Sequence, residues 1–172
     1  MKQRRDILIL PAMAALVLLV DQISKHLVMT RLEEGRSWDI AGWLSPFLRI
    51  THVTNTGAAF GLFPKWSDFF VAVAVIVIAV IIIYQRHLPA GQWLVRVAMG
   101  LQLGGAIGNL VDRLRWGSVV DFMDLNFWPL HEWPVFNVAD ASIVTGVSLL
   151  AILMLWEERR EQSKPAPAQD GL

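Results

Sequence analysis

Residues 93–113 read WLVRVAMGLQLGGAIGNLVDR, an apolar run that ends in a group of polar side chains. Arg96 is its one charged residue before Asp112, and the run is long enough to span a bilayer as a helix. Three glycines recur at four-residue spacing, at Gly100, Gly104 and Gly108. Small residues in such a stripe let a second helix approach closely. The stretch therefore predicts a membrane helix packed tightly against another.

The composition of the whole chain agrees with a membrane location. Of its 172 residues 55% are hydrophobic and 17% charged, against about 25% charged in an average soluble domain. The net charge is zero and no basic cluster indicates a nucleic-acid partner. The absence of cysteine excludes disulfides, thiolate metal sites and a cysteine nucleophile. We expect one membrane domain over residues 1–161 and a disordered cytoplasmic tail over 162–172.

Four segments are apolar enough to span, and they predict an all-α integral membrane protein with four transmembrane helices. They are Ile7 to Leu27, Phe69 to Tyr84, Trp93 to Val111, and Val138 to Trp156. The basic start of the first segment is also typical of a signal peptide. Its small-residue triplet at 12–14 lies inside the apolar run, however, so we expect a retained helix.

The distribution of positive charge predicts the topology. Lys and Arg are dense before the first span, in the short turn at 85–92 and in the tail. The longer segments 28–68 and 112–137 carry balanced charge and most of the tryptophans. The positive-inside rule then puts both termini in the cytoplasm and both long segments outside, with tryptophans at the interface.

Two groups of polar residues lie at the ends of the first and third spans. Asp21, Ser24 and Lys25 share one helix face, which predicts an Asp21–Lys25 ion pair. A Ser–Lys nucleophile pair is the less favoured alternative, because adjacent helix residues diverge. In the third span Asn109, Asp112 and Arg113 point the same way. They form either an ion pair that closes the helix or a substrate-binding group.

Carboxylates at the membrane edge are costly, and this indicates a chemical role. Asp140 lies one helical turn after Asn137, and its possible acidic partners are Asp112, Asp121 and Asp124. Spacing alone does not choose among them. If residues 121–124 were helical, Asp121 and Asp124 would lie one turn apart on the same face, and either could be the partner. Two adjacent carboxyl groups share a proton and can activate water for amide hydrolysis.

Two other classes of protein compete with a hydrolase of this kind. A transporter would relay protons through acids near mid-span, whereas these acids cluster at span ends on one side. A metal-dependent lipid phosphatase would need histidines or more acids in the cluster, and only His131 lies near the acids in sequence. We therefore expect no metal ion and no cofactor.

Five stretches together resemble one known family in content and order. They are DQISK at 21–25, NTGAAF at 55–60, GGAIGNLVDR at 104–113, VVDF at 119–122 and FNVAD at 136–140. The chain resembles the lipoprotein signal peptidases, signal peptidase II. For the segment from Asn126 to Pro134 these motifs give no counterpart in the family pattern.

The resemblance implies a role for each polar position. Asp121 and Asp140 would be the catalytic aspartates. The substrate pocket would be lined by Asn55, Asn109, Arg113 and Asn137. Supporting roles would fall to Asp21, Lys25 and Asp112.

The resemblance also implies the fold and the reaction. The four helices would carry a small extracytoplasmic β-cradle and an amphipathic helix, both supplied by segment 28–68. The enzyme would be an aspartic endopeptidase of the bacterial inner membrane. It would remove the signal peptide of prolipoproteins just before a cysteine that bears diacylglycerol. Its partners would be these substrates, membrane lipid and globomycin-type inhibitors, with no nucleic acid.

Overall fold

The computed structural model describes residues 2–57, 63 and 66–162. Its long helices are α1 Lys2–Arg31, α2 Ser67–Tyr84, α3 Trp93–Trp116 and α4 Val138–Gln162. All four are long and apolar enough to cross a membrane, which confirms the predicted class. The predicted disordered tail lies outside the described residues from position 163 onward, and Gln162 belongs to α4.

Helix α3 is the centre of the bundle and packs against the other three helices. A Cβ added to Gly104 would lie 2.6 Å from the Ala14 carbonyl oxygen and 2.7 Å from Val17 Cβ. On the adjoining face, Gly105 meets the Ala139 carbonyl of α4. The close helix packing expected from the glycine stripe is confirmed, and it extends to both α1 and α4.

Helix α2 lies at the edge of the bundle, and its packing partner is α3. Ile81 is its one buried residue. Most of its remaining surface consists of valine and isoleucine side chains, which are exposed in the isolated protein. A helix with this all-round apolar surface is suited to lipid.

The end of α3 differs from the prediction. The helix continues past Val111 to Trp116, so Asp112 and Arg113 are helical residues. Gly117 stops it in the left-handed region at φ 72°, and its N–H donates to the Arg113 carbonyl at 2.9 Å. The polar group at 109–113 is thereby held on a rigid helix surface.

A small antiparallel sheet lies against the end of α1. Its strands are β1 Ser37–Trp38, β2 Leu48–Asn55 and β3 Val119–Leu125, in the order β1-β2-β3. Val120 and Phe122 of β3 pack with Val28 of α1. The expected β-cradle is confirmed: β1 and β2 come from segment 28–68, whereas β3 comes from the segment after α3. Asp121 and Asp124 lie in an extended strand and not one helical turn apart.

The amphipathic helix expected in segment 28–68 is not formed by its described residues, 28–57, 63 and 66–68. Residues 42–47 instead form consecutive turns. The Ser45 N–H donates to the Ala41 carbonyl at 3.0 Å, and the Leu48 N–H to Leu44 at 2.9 Å. Pro46 lacks an N–H and disfavours helical geometry at the preceding residue, which limits this segment to turns that do not continue as a helix.

The chain returns from β3 to α4 by a hairpin-like path. Phe136 pairs with Met123: its N–H donates to the Met123 carbonyl at 3.1 Å, and its carbonyl accepts from the Met123 N–H at 2.7 Å. Because Phe136 immediately precedes Asn137, this pairing brings the start of α4 beside Asp121.

The glycine packing predicts that Gly104→Ala destabilises the protein. Alanine is the better helix former by about 1 kcal/mol, but its Cβ would overlap the Ala14 carbonyl oxygen and the Val17 side chain of α1. Overpacking of this kind costs about 1 to 3 kcal/mol. Thermal unfolding in detergent should show a lower Tm. Gly42→Ala is the control, because a Cβ there meets no atom within 4 Å. Equal stability of the two variants would contradict the packing argument.

Candidate active site

Polar residues from five elements converge where α1, β2, α3, β3 and the start of α4 meet. All nine residues singled out by sequence lie in this region: Asp21, Lys25, Asn55, Asn109, Asp112, Arg113, Asp121, Asn137 and Asp140. Hydrogen bonds or ion pairs join eight of them into one network, and Arg113 lines a cleft together with four of these, Asn55, Asn109, Asp121 and Asp140. The structure therefore brings the predicted site together.

The ammonium of Lys25 is buried between two carboxylates. Its Nζ lies 2.9 Å from Asp21 Oδ2 and 2.8 Å from Asp112 Oδ2, and it donates to Asn109 Oδ1 at 3.0 Å. The predicted Asp21–Lys25 pair is confirmed. The Ser–Lys alternative is wrong, because the Ser24 hydroxyl donates to the backbone carbonyl of Asp21 at 2.8 Å.

Asp112 connects α3 to the sheet. Besides Lys25, it accepts the N–H of Val120 at 3.3 Å, the residue before Asp121. The alternative of an Asp112–Arg113 ion pair is wrong: the Arg113 guanidinium instead donates from Nη2 to the Gly57 carbonyl at 3.2 Å and lies over the Phe70 ring. Asp112 and Arg113 therefore act in separate parts of the site.

Gln22 is a member of the network that the sequence reasoning missed. Its Nε2 donates to Asp112 Oδ1 at 2.9 Å, to Asp21 Oδ2 at 3.2 Å and to the Gly108 carbonyl at 3.3 Å. A polar amide inside an apolar span, next to Asp21, was the available signal. The Gln22 amide donates to Asp112 Oδ1, the oxygen of that carboxylate that Lys25 does not contact.

The start of α4 is capped by side chains of the same network. The Asn137 Oδ1 accepts the Asp140 N–H at 2.9 Å, and Asp140 Oδ2 accepts the Asn137 N–H at 3.3 Å. This reciprocal pair is a capping box with aspartate in the position usually held by glutamate. Asp21 Oδ1 accepts the N–H of Ala139 at 2.9 Å. The helix start is thus fixed on α1.

Two asparagine side chains join the remaining carboxylates. Asn109 donates from Nδ2 to Asp140 Oδ1 at 2.7 Å. Asn137 donates from Nδ2 to Asp121 Oδ1 at 2.7 Å and to Asn109 Oδ1 at 3.2 Å. Asp121 and Asp140 are therefore linked through a single residue, Asn137, and both line the same cleft.

Asp121 is 2% exposed, and its surroundings change its ionisation. Burial, and then the negative charge of Asp140, raise the pKa of Asp121 to about 7. Hydrogen bonds from Asn55 at 3.0 Å and from Asn137 act in the opposite direction. A carboxyl group with this pKa can both donate and accept a proton near neutral pH.

The two carboxylates open onto a cleft of about 620 Å³. Its polar side carries Asn55, Gly57, Asn109 and Arg113. Most of its apolar lining residues come from the end of β3, from the segment that follows it and from α4. This arrangement suits a substrate with a polar backbone and apolar attachments.

Asp124 lies outside the cleft. It accepts the Thr51 hydroxyl at 2.7 Å and lies 3.8 Å from Arg49, on the opposite side of β3 from Asp121. Of the three acids left open by spacing, Asp121 is the one that shares Asn137 with Asp140. His131 also lies elsewhere and faces Glu132 at 3.8 Å.

The described residues contain no group of three or more His, Cys, Asp or Glu side chains arranged to hold a metal ion. The acids near the cleft are instead engaged by Lys25 and by asparagine amides. Their donor sets suit carboxylate chemistry with water.

Residues 13–156 match the family model described as signal peptidase (SPase) II. The chain is 44% identical over 152 residues to the lipoprotein signal peptidase of Moorella thermoacetica, covering 87% of this chain and 96% of that protein. It is 42% identical over 150 residues to the lipoprotein signal peptidase of Geobacter metallireducens, covering 86% and 90%.

The fold is similar to that of a bacterial membrane enzyme solved by the in meso method at 2.3 Å resolution. The TM-score is 0.80 at 30% identity, with 91% of this chain and 93% of that chain covered. The protein is thus a multi-pass membrane peptidase. It belongs to the signal peptidase II family.

The raised pKa of Asp121 predicts a pH-dependent stability. In the unfolded chain an aspartate has a pKa near 3.9, against about 7 in the fold. Between these values the folded state holds a proton that the unfolded state has lost, so stability falls as pH rises and levels off above about 7.

Asp121→Asn should remove this contribution. Unfolding in detergent from pH 5 to pH 8 should show a smaller loss of stability in the variant than in the wild type. Asp39→Asn, at an exposed position, is the control. Parallel curves for Asp121→Asn and the wild type would refute the assignment.

Proposed function

We propose that Asp121 and Asp140 are the catalytic pair of an aspartic endopeptidase that acts on bacterial prolipoproteins. The cleaved bond is the one just before a cysteine that bears diacylglycerol. The observation that carries the proposal is the shared contact with Asn137, which holds both carboxylates on one wall of the cleft. Relatives in this family are named lipoprotein signal peptidases.

The pair shares one proton at neutral pH. Two neighbouring carboxyl groups do not both ionise easily, and the pKa of Asp121 near 7 reflects both its burial and the charge on Asp140. One group therefore acts as a base while the other acts as an acid. No cofactor is needed for this division of roles.

Hydrolysis then follows in two steps, the attack of water and the collapse of the tetrahedral intermediate. The ionised carboxylate takes a proton from water as the water oxygen attacks the scissile carbonyl carbon, and the protonated carboxyl gives its proton to the carbonyl oxygen. When the tetrahedral intermediate collapses, the C–N bond breaks and the carboxyl that took a proton from water gives it to the leaving nitrogen. The other carboxylate takes a proton from a hydroxyl of the intermediate as the product carboxylic acid forms, which returns the pair to its starting state. Acid and base catalysis of this kind contributes about 10² to 10⁴ in rate.

The asparagines orient the pair. Asn109 and Asn137 each donate to a carboxylate oxygen at 2.7 Å, which leaves one oxygen of each group turned to other partners. Lys25 donates to the Asn109 side-chain oxygen and so holds the Asn109 amide in place. Lys25 is itself held by its ion pairs with Asp21 and Asp112. We assign these three residues a supporting role, because they act through Asn109 and the start of α4.

Arg113 and Asn55 bind the substrate backbone in this proposal. The Arg113 Nε is buried and has no hydrogen-bond partner among the described residues. Its guanidinium lines the cleft beside Gly57, whose carbonyl it already holds. A peptide carbonyl in the cleft would satisfy this donor, and Asn55 would orient the chain on the Asp121 side.

The lipid part of the substrate would leave the cleft along α4. Val144 lines the cleft and is 63% exposed, so the apolar wall continues onto the outer surface of the helix. Acyl chains can remain in the bilayer while the cysteine enters the cleft. A globomycin-type cyclic peptide would occupy the same space.

The cleft would face the outer side of the bacterial inner membrane, with both termini in the cytoplasm. The charge distribution supports this orientation. Exposed tryptophans on the sheet side, at Trp43 and Trp128, suit a membrane interface. A substrate whose signal peptide spans the membrane would present its cleavage site at this level.

Asp121→Asn and Asp140→Asn should each abolish cleavage of a diacylglyceryl-modified prolipoprotein, because either change removes half of the pair. We expect losses of at least about 10² in kcat. Signal-peptide release by purified protein in detergent is the measurement.

Asp124→Asn is the matched control, since Asp124 lies on the same strand but outside the cleft. It should retain most activity. More than a tenth of wild-type activity in either pair variant, or an inactive but stably folded Asp124 variant, would show that another carboxylate does the chemistry.

Activity should be unaffected by EDTA, because carboxylates alone activate the water. The assay is the same signal-peptide release, before and after chelation and with added divalent ions. Loss on chelation that a metal ion restores would instead support a metal-dependent hydrolase.

A further inference from the structure

The apolar side of the cleft is made mainly by the segment between β3 and α4. The lining residues from this part of the chain are Leu125, Leu130, Trp133, Pro134, Val135 and Phe136. They line the same cleft as the polar residues Asn55, Asn109 and Arg113. The segment also includes Asn126 to Pro134, for which the sequence motifs gave no counterpart but which lies within the residues that the family model matches.

The segment is attached to the sheet at its two ends. At the far end Phe136 pairs with Met123. At the near end Asn126 makes three hydrogen bonds: its N–H donates to the Phe47 carbonyl at 2.9 Å, its Nδ2 donates to the Ser45 carbonyl at 3.2 Å, and its Oδ1 accepts from Arg49 at 3.1 Å.

Between these ends the backbone bonds are internal. The Leu130 N–H donates to the Phe127 carbonyl at 2.7 Å, and the Trp133 N–H donates to Leu130 at 2.9 Å. Asn126 and Phe136 therefore anchor the two ends of the segment that carries Trp133 into the cleft.

We propose that this segment sets the specificity of the peptidase: Trp133 contacts an apolar peptide side chain next to the scissile bond, and Asn126 is the positioning residue that holds Trp133 there. The proposal rests on the signal-peptide substrate inferred above. A peptide side chain is favoured over an acyl chain because the segment lies between the third and fourth spans and outside both. The acyl chains would lie along α4, in the bilayer.

The test uses pairs of substrates with the same acyl chains. Within a pair, one residue preceding the scissile bond is leucine in one substrate and alanine in the other. Each position preceding the bond is tested with its own pair. For Trp133→Ala we expect KM to rise about tenfold for a leucine substrate at one position, the range that a lost apolar contact gives. The alanine substrate should change less than twofold, and kcat should be unchanged for both. Trp133→Phe should restore most of the discrimination.

Trp128→Ala is the matched control, because Trp128 belongs to the same segment but is 82% exposed and does not line the cleft. It should leave both KM values unchanged. Asn126→Ala should reduce the leucine preference as Trp133→Ala does, and the double variant should lose no more than either single variant. Thermal unfolding establishes that each variant is folded, and Trp133→Leu replaces Trp133→Ala if the latter is not.

Several results would overturn the proposal. They are an equal loss for leucine and alanine substrates, a loss in kcat alone, a loss that follows acyl-chain length instead of the peptide residue, or the same loss in Trp128→Ala. The discrimination ratio is measured on active enzyme. A failure of the Asp121 and Asp140 assignment therefore appears in other variants and is distinguishable from a failure here.

Discussion

The buried ammonium of Lys25 is the interaction on which the site depends. It lies among Asp21, Asp112 and Asn109 and is 1% exposed. An uncompensated ion in such surroundings costs several kcal/mol, and removing one member of a buried pair typically costs about 3 to 5 kcal/mol. The bundle can therefore close only when α1 and α3 are in the register that brings these groups together.

That register fixes the rest of the site. Asp21 holds the Ala139 N–H, so the start of α4 takes its place from α1. Asp112 holds the Val120 N–H, so β3 takes its place from α3. Asp121 and Asp140 follow these two elements and meet at Asn137. The geometry of the candidate catalytic pair is thus set by charged groups that do not line the cleft.

Much of the helical fold could be predicted from sequence, because a membrane span is a local signal of length and hydropathy. The Asp21–Lys25 pair was also local, being one helical turn apart. The partner of Asp140 was not, since the contact at Asn137 depends on how β3 and α4 meet in space. Family resemblance selected Asp121 where spacing could not, and the strand geometry at 119–125 gives the physical reason.

The two carboxylates that contact Lys25, those of Asp21 and Asp112, can pair with it at different stages of folding. Asp21 lies on the same helix, so its bond to Lys25 forms as soon as α1 coils, and the two charges neutralise each other within one segment. Asp112 belongs to α3, which comes much later in the chain: Asp112 lies 90 residues after Gln22, its other partner on α1. The apolar stretch of α1 from Ile7 to Leu27 can thus enter the bilayer without net charge, because Asp21 and Lys25 are its only two charged residues. Asp112 of α3 can then bind at one place on α1, the ammonium of Lys25. The ion pairs thus favour formation of α1 first and packing of α3 against it second.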